Sequence, residues 1–279
     1  MASRKEDAIP RILNRPRPAL KVSQDLQKLM LKMKGESMSA DGHSINYELL
    51  KNSQTFQECV NRSRELKGVD VNGLDPDQKK AFFINVYNAC TIHGLADLDT
   101  LPNSVLEVEQ FWKKTAYVIG EQVYTLDDME HGVLRGNRPH PSSDKPFFGT
   151  EDPRLSVALE TVDPRIHFAL VCGAKSCPPI NVYSEKNLDY ALNAAAGNYL
   201  DSEITVDVNK REIMLPKLLQ WYGCDFGETP EEVARWTLPY VSDDKAQEMK
   251  TLLESNDQTD KLQIKYSTYD WQLNKATKH

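Results

Sequence analysis

"LDPDQKKAFFINVYNACTIHGLADL", residues 74–98, decides the fold. Asp75 is placed to cap a helix, Pro76 takes the first helical position and Gln78 completes a capping-box pattern. At about 100° per residue, Asn85 and Asn88 fall on the same face as Ala81, Ala89 and Ile92. Two amides in so apolar a run are costly to bury unless each finds partners. They either satisfy loop backbone, or they orient a catalytic group or hold a substrate.

Upstream, "KVSQDLQKLMLKMKG" carries Val22, Leu26, Leu29, Met30 and Met33 on one helical stripe, with Ser23 able to cap and Gly35 able to stop it. Residues 22–34 then either pack on their own domain or present a surface to a protein partner or a membrane. The chain before about Leu20 is rich in Pro and Arg and reads as a mobile arm. "INYELLKNSQTFQECVNRSREL" reads as one further helix.

Downstream, "AYVIGEQVYTL" reads as a hairpin turning near Gly120. "TLDDMEHGVLRG" reads as a short helix capped by Thr125 and ended by Gly136, with Asp127 and Asp128 at its positive end. "IHFALVC" reads as a buried strand, "SEKNLDYALNAAAGNYL" as a helix and "EITVDVNKREIML" as a hairpin about Asn209-Lys210. "TPEEVARWTLPYV" opens a helix with Thr229, Pro230 and Glu232 in capping-box order. A helix over "DDKAQEMKTLLES" and a strand over "KLQIKYSTYDW" close the chain. Helices interrupted by hairpins, with no regular βαβ alternation, point to an α+β class. The expected organisation is an arm and amphipathic helix over 1–41. A single domain of helices with a mixed or antiparallel sheet of hairpins follows over 42–275.

With 279 residues, 40% hydrophobic, 27% charged and a net charge of −7, the chain can bury a large core and lacks the basic footprint of a nucleic-acid binder. No apolar run approaches the roughly 20 residues of a membrane span. The N-terminus lacks the apolar stretch of a secretory signal, and Glu6 and Asp7 speak against a transit peptide. The five cysteines, at 59, 90, 172, 177 and 224, are scattered and odd in number. A reducing, cytoplasmic setting is therefore expected.

Chemistry concentrates in two places. In residues 126–135, Leu126, Met129 and Val133 form an apolar face while Asp127, His131 and Arg135 follow at four-residue spacing, with Glu130 beside them. A carboxylate near an imidazole raises its basicity and orients it, as a general base requires. In "HFALVCGAKSCPPI", Gly173 permits a tight turn whose amides can hold an anion. Were Pro178 to begin a helical turn, Cys177 would stand at its positive end, where a thiol pKa falls. Cys172 and Cys177 are then packed thiols, a nucleophile with its neighbour, half a metal site or a disulfide. On a strand, His167 and Cys172 would face opposite ways; His167 could still meet Cys177 as a catalytic partner if the loop folds back, but His131 is the freer base.

Together, "FFINVYNACTIH", "YTLDDMEHGVLR", "DPRIHFALVCGAKSCPPI" and "YDWQLNK" resemble the domain of unknown function 547 family, in order, over roughly residues 42–275. The resemblance implies that Asn85, Asn88, Glu130, His131, Leu134, Arg135, Asp163, Arg165, His167, Cys172, Cys177 and Pro178 matter; it supplies no activity. The expectation is a thiol-dependent hydrolase or acyl transferase acting on an amide-type small molecule or peptide. Cys177 would attack, His131 would act as base oriented by Glu130, and Gly173 with neighbouring amides would hold the oxyanion. Asn85, Asn88, Arg135 and Arg165 would line the pocket, the arginines suiting a carboxylate or phosphate. Cys172 would resolve an oxidised Cys177 in a redox variant of the same site. No cofactor is required by this reading. The alternatives are a zinc site from Cys172, Cys177, His131 and His167, or a non-enzymatic interaction module held by a buried polar cluster.

Overall fold

The reading of residues 74–98 holds in detail. In the computed structural model, which describes residues 17–40, 42–255 and 261–276, a helix runs Pro76–Ala96, with the Asp75–Gln78 capping box closed in both directions. Phe82 to Ile92 is buried without interruption. A helix apolar on every side belongs at the centre of a core, and the other elements assemble around this one.

Taken in chain order, α1 (Ala19–Ser37) buries Val22, Leu26, Leu29, Met30 and Met33 against α3 and α4. Here α2 is Tyr47–Lys51, α3 is Gln54–Ser63 and α4 is the central helix. Ser23 lies inside α1 rather than capping it, and the helix continues past Gly35 to Ser37. The stripe of residues 22–34, readable as a partner surface, is occupied by the protein's own core. Gln27 and Lys34 also donate to the carbonyls of Tyr183 and Ile180. The single helix expected across residues 45–66 is broken, because the Ser53 hydroxyl accepts from the Phe56 amide and starts a new helix there. The proposed mobile arm falls mostly on residues 1–16, outside those described.

After α5 (Phe111–Lys114), β1 (Ala116–Ile119) and β2 (Gln122–Thr125) form the expected antiparallel hairpin, turning at Gly120 with φ +61°. Then come α6 (Leu188–Glu203), the hairpin of β3 (Thr205–Asp207) and β4 (Glu212–Leu215), α7 (Lys217–Trp221), α8 (Pro230–Thr237) and α9 (Asp243–Glu254). Finally β5 (Gln263–Tyr266) pairs with β4 in parallel. The class is α+β, with its hairpins in two small separate sheets. One apolar cluster surrounds α1 and α4; a second lies between α6, the three-stranded sheet, α8 and α9.

The segment expected to be a strand differs. Residues Pro164–Phe168 form a 3-10 turn, started by the Asp163 carboxylate accepting from the Arg165 amide, and residues 169–172 run on without a strand partner. The Asn88 side chain takes the partner's place, donating to the Ala169 carbonyl (2.9 Å) and accepting from the Val171 amide (3.0 Å). Asn85 does the same for Tyr183, donating to its carbonyl (2.6 Å) and accepting from its amide (3.0 Å). The two amides that looked anomalous in an apolar helix thus satisfy buried backbone that no strand reaches.

Candidate active site

The segment after β2 is not the α-helix that its spacing suggested. Thr125 and Asp128 cap each other reciprocally, and residues Asp128–Leu134 then take π-helical form, with the Arg135 amide donating to the Glu130 carbonyl (2.8 Å). Such bulges recur at functional sites because they re-aim side chains. This one is wholly buried and turns Glu130 and His131 towards a cavity of about 320 Å³. Into the same cavity come Asp127, His167, Cys172 and Cys177, which the sequence could not place together.

The thiols are held by the end of the chain. The amides of Lys175, Ser176 and Asn274 donate to the carbonyls of Gln272, Asp270 and Gly173, so residues 270–274 clamp the cysteine loop. Tyr269 is thereby delivered to both sulfurs, its hydroxyl 3.2 Å from Cys172 Sγ and 3.4 Å from Cys177 Sγ. The two sulfurs lie 2.7 Å apart, and the Cys172 amide donates to Cys177 Sγ at 2.8 Å. Burial pushes the Cys177 thiol up, but these donors more than offset it and leave Cys177 below its ordinary pKa. Cys172 moves the other way, raised first by its hydrogen bond to Cys177 and then by burial. Of the pair, Cys177 is therefore the more acidic thiol. No helix starts at Pro178, so the depression comes from these local donors and not from a helix terminus.

Gly173 makes the turn possible, at φ +84°, and a Cβ there would meet Leu95 Cδ1 at 2.4 Å. Gly173→Ala is expected to lower stability by about 1–3 kcal/mol through overpacking in a strained backbone. Urea unfolding checks this; a loss below about 0.5 kcal/mol would show that the loop relaxes freely.

The polar groups on the opposite wall form one network. Glu130 accepts from the hydroxyls of Tyr222 (2.6 Å) and Tyr87 (3.2 Å), and not from His131. Burial would raise Glu130, but His131, His167, the Tyr222 hydroxyl and Arg135 outweigh it, so it stays below its ordinary value. His131 Nδ1 accepts from Arg135 Nη1 at 3.1 Å, because a guanidinium only donates. Its Nε2 therefore carries the hydrogen, 4.0 Å from Asp127 Oδ1. Burial pushes His131 down to about 4, so it is neutral near pH 7. Arg135, 1% exposed, grips Asp225 through Nε (2.6 Å) and Nη2 (3.0 Å). His167 Nε2 lies 2.8 Å from the same Asp225 Oδ2, with its ring stacked on Tyr222 at 4.0 Å.

Not every expected residue is here. Arg165 is tied to Asp163, Asp189 and Asn193 and does not line the cavity. Neither do Asn85, Asn88, Arg135 or Gly173, which shape it from behind. Sequence reading missed Asp225, Tyr87, Tyr222 and the wall of Trp112, Trp221 and Trp271. Only "YDWQLNK" pointed towards that wall, through Tyr269 and Trp271. Among the described residues no three His, Cys, Asp or Glu side chains are grouped to hold a metal ion, and no helix is long and apolar enough to cross a membrane.

Residues 71–200 match the model of a family described as Protein of unknown function, DUF547. That segment belongs to the DUF547 family. No curated protein and no solved structure matches the chain. The DUF547 segment supplies Tyr87, Asp127, Glu130, the three histidines His131, His140 and His167 and both thiols, while Tyr222, Asp225, Tyr269 and Trp271 come from beyond residue 200.

Proposed function

We propose that this DUF547 chain is a thiol-dependent acyl-transfer enzyme, a hydrolase or transferase, in which Cys177 attacks the carbonyl carbon of an amide-type small molecule or peptide. The observation that carries the reading is the Cys177 sulfur, facing an aromatic-walled cavity and held by the Cys172 thiol, the Cys172 amide and the Tyr269 hydroxyl. Three donors on one sulfur favour its anionic form, which makes Cys177 the readier of the two thiols to give up its proton and attack.

The base in this proposal is His167 and not His131. His131 already accepts from Arg135 through its only lone pair, so it can offer the cavity an N–H but no base. His167 directs Nε2–H to the Asp225 carboxylate, which leaves Nδ1 as the basic nitrogen of the neutral ring. A carboxylate behind an imidazole orients it and stabilises the imidazolium. In the reaction His167 Nδ1 takes the proton of the Cys177 thiol as the sulfur bonds to the acyl carbon, the bond from that carbon to the leaving group breaks, and the leaving group departs with the proton, leaving His167 neutral again. Water, or an acceptor nucleophile, then gives its proton to His167 and takes the acyl group from sulfur.

The test uses p-nitrophenyl acetate as a small acyl donor and peptide mass spectrometry to locate the acetyl group. Acetyl on Cys177 is expected in the native protein and in Cys172→Ser, with none in Cys177→Ser. Acetyl on Cys172, or on neither thiol, would sink the reading.

A further inference from the structure

The Asp127 carboxylate is 5% exposed and yet, among the described residues, accepts no hydrogen bond. Its nearest polar neighbour, His131 Nε2, stands 4.0 Å away, beyond hydrogen-bond reach. Asp127 lines the cavity that holds Cys177. Native proteins seldom leave a buried carboxylate without donors, because desolvation is then uncompensated. Glu130, one helical step away, shows the usual arrangement with two tyrosine hydroxyls upon it. Neither Asp127 oxygen is among the fully buried side-chain atoms left without a partner in the described residues, so both stay open to what fills the cavity, water in the free protein or a donor on a ligand.

The walls say what kind of donor that is. Trp112, Trp221 and Trp271 lie with Tyr269 around the cavity, Trp112 edge-on to Trp271 at 5.9 Å and Trp271 tilted against Tyr269 at 4.7 Å. Indole and phenol faces attract cations, and more strongly where water is excluded. Burial, and then Glu130, pushes the Asp127 carboxyl up to about 7; an organic ammonium group would hold it as the carboxylate, bringing N–H donors for Asp127 and positive charge for the rings. We propose that the substrate of this site bears a protonated amine, and that Asp127 binds that amine against Trp112 and Trp271. The inference rests on the acyl-transfer reading of Cys177 and narrows its substrate to amine-bearing acyl compounds.

One group inside the protein competes for the same place. Lys113 also lines the cavity and is exposed, so its ammonium could swing onto Asp127. The experiment therefore compares benzylamine with the uncharged benzyl alcohol on the full chain, reading binding by tryptophan fluorescence. Benzylamine is expected to bind at least about tenfold more tightly in the native protein and in Lys113→Ala, with the preference falling to about twofold or less in Asp127→Asn. Equal binding of the two probes by the native protein overturns the inference. So does a preference that survives Asp127→Asn. A preference that emerges only in Lys113→Ala also overturns it, by making Lys113 the partner of Asp127. Acetylation of Cys177 in a protein with no amine preference sinks this inference alone; an amine preference without acetylation sinks the acyl-transfer reading alone.

Discussion

Replacing Asp225 by alanine is expected to cost about 3–5 kcal/mol of folding stability. The side chain is completely buried, accepts from Arg135 through two nitrogens and from Arg138, and sits 2.8 Å from His167 Nε2. Removing it leaves the Arg135 guanidinium, 1% exposed, as an uncompensated buried charge. Burial alone would raise the Asp225 carboxyl, but His167 and Arg135 hold it far below the usual carboxylate range. The sign follows from linkage. A carboxyl depressed on folding contributes stability that is present above its unfolded pKa of about 3.9 and is lost as pH falls below that value. Urea unfolding of the native protein should therefore weaken steeply in acid, and less steeply in Asp225→Asn, whose amide does not titrate. A loss below about 1 kcal/mol for Asp225→Ala at pH 7 would mean that Arg135 finds water when its partner goes.

His167→Gln is expected to slow acetylation of Cys177 by p-nitrophenyl acetate by about 10²–10⁴-fold, the range of a general acid–base group. His131→Gln should slow it less than about tenfold, because His131 holds its lone pair towards Arg135. Stopped-flow release of p-nitrophenol gives both rates, with thermal melts of both variants confirming that they fold. If His131→Gln proves the slower variant, the imidazole roles are reversed. If neither substitution matters, Cys177 acts as a thiolate without a base.

Much of the fold was legible because it rests on local chemistry. The capping boxes at Asp75 and Thr229 are complete within four residues, and both appear where the sequence placed them. The hairpins at Gly120 and about Asn209-Lys210 follow from turn residues between alternating strands. Errors came where a distant partner overrode the local pattern. Residues 166–172 have a strand's apolarity, but Pro164 and the Asp163 cap wind their first half into a 3-10 turn, and Asn88 satisfies the rest from α4. The stripe of α1 announced a buried face without saying what would cover it. The cover proved to be α3 and α4 of the same chain.

The candidate site divides along the same line. The sequence by itself determined the helices, the hairpins, the α+β class and the residue types that carry chemistry, because helix caps, turn glycines and hydrophobic periods act over a few residues. Only the tertiary structure decided how those residues are used. Tyr269 meets the thiols from ninety-two residues beyond Cys177, and Asp225 backs His167 from fifty-eight residues beyond it. Arg135 takes the lone pair of His131. Such pairings depend on which segments the packed core brings within 3–4 Å, and no spacing along a single segment encodes that.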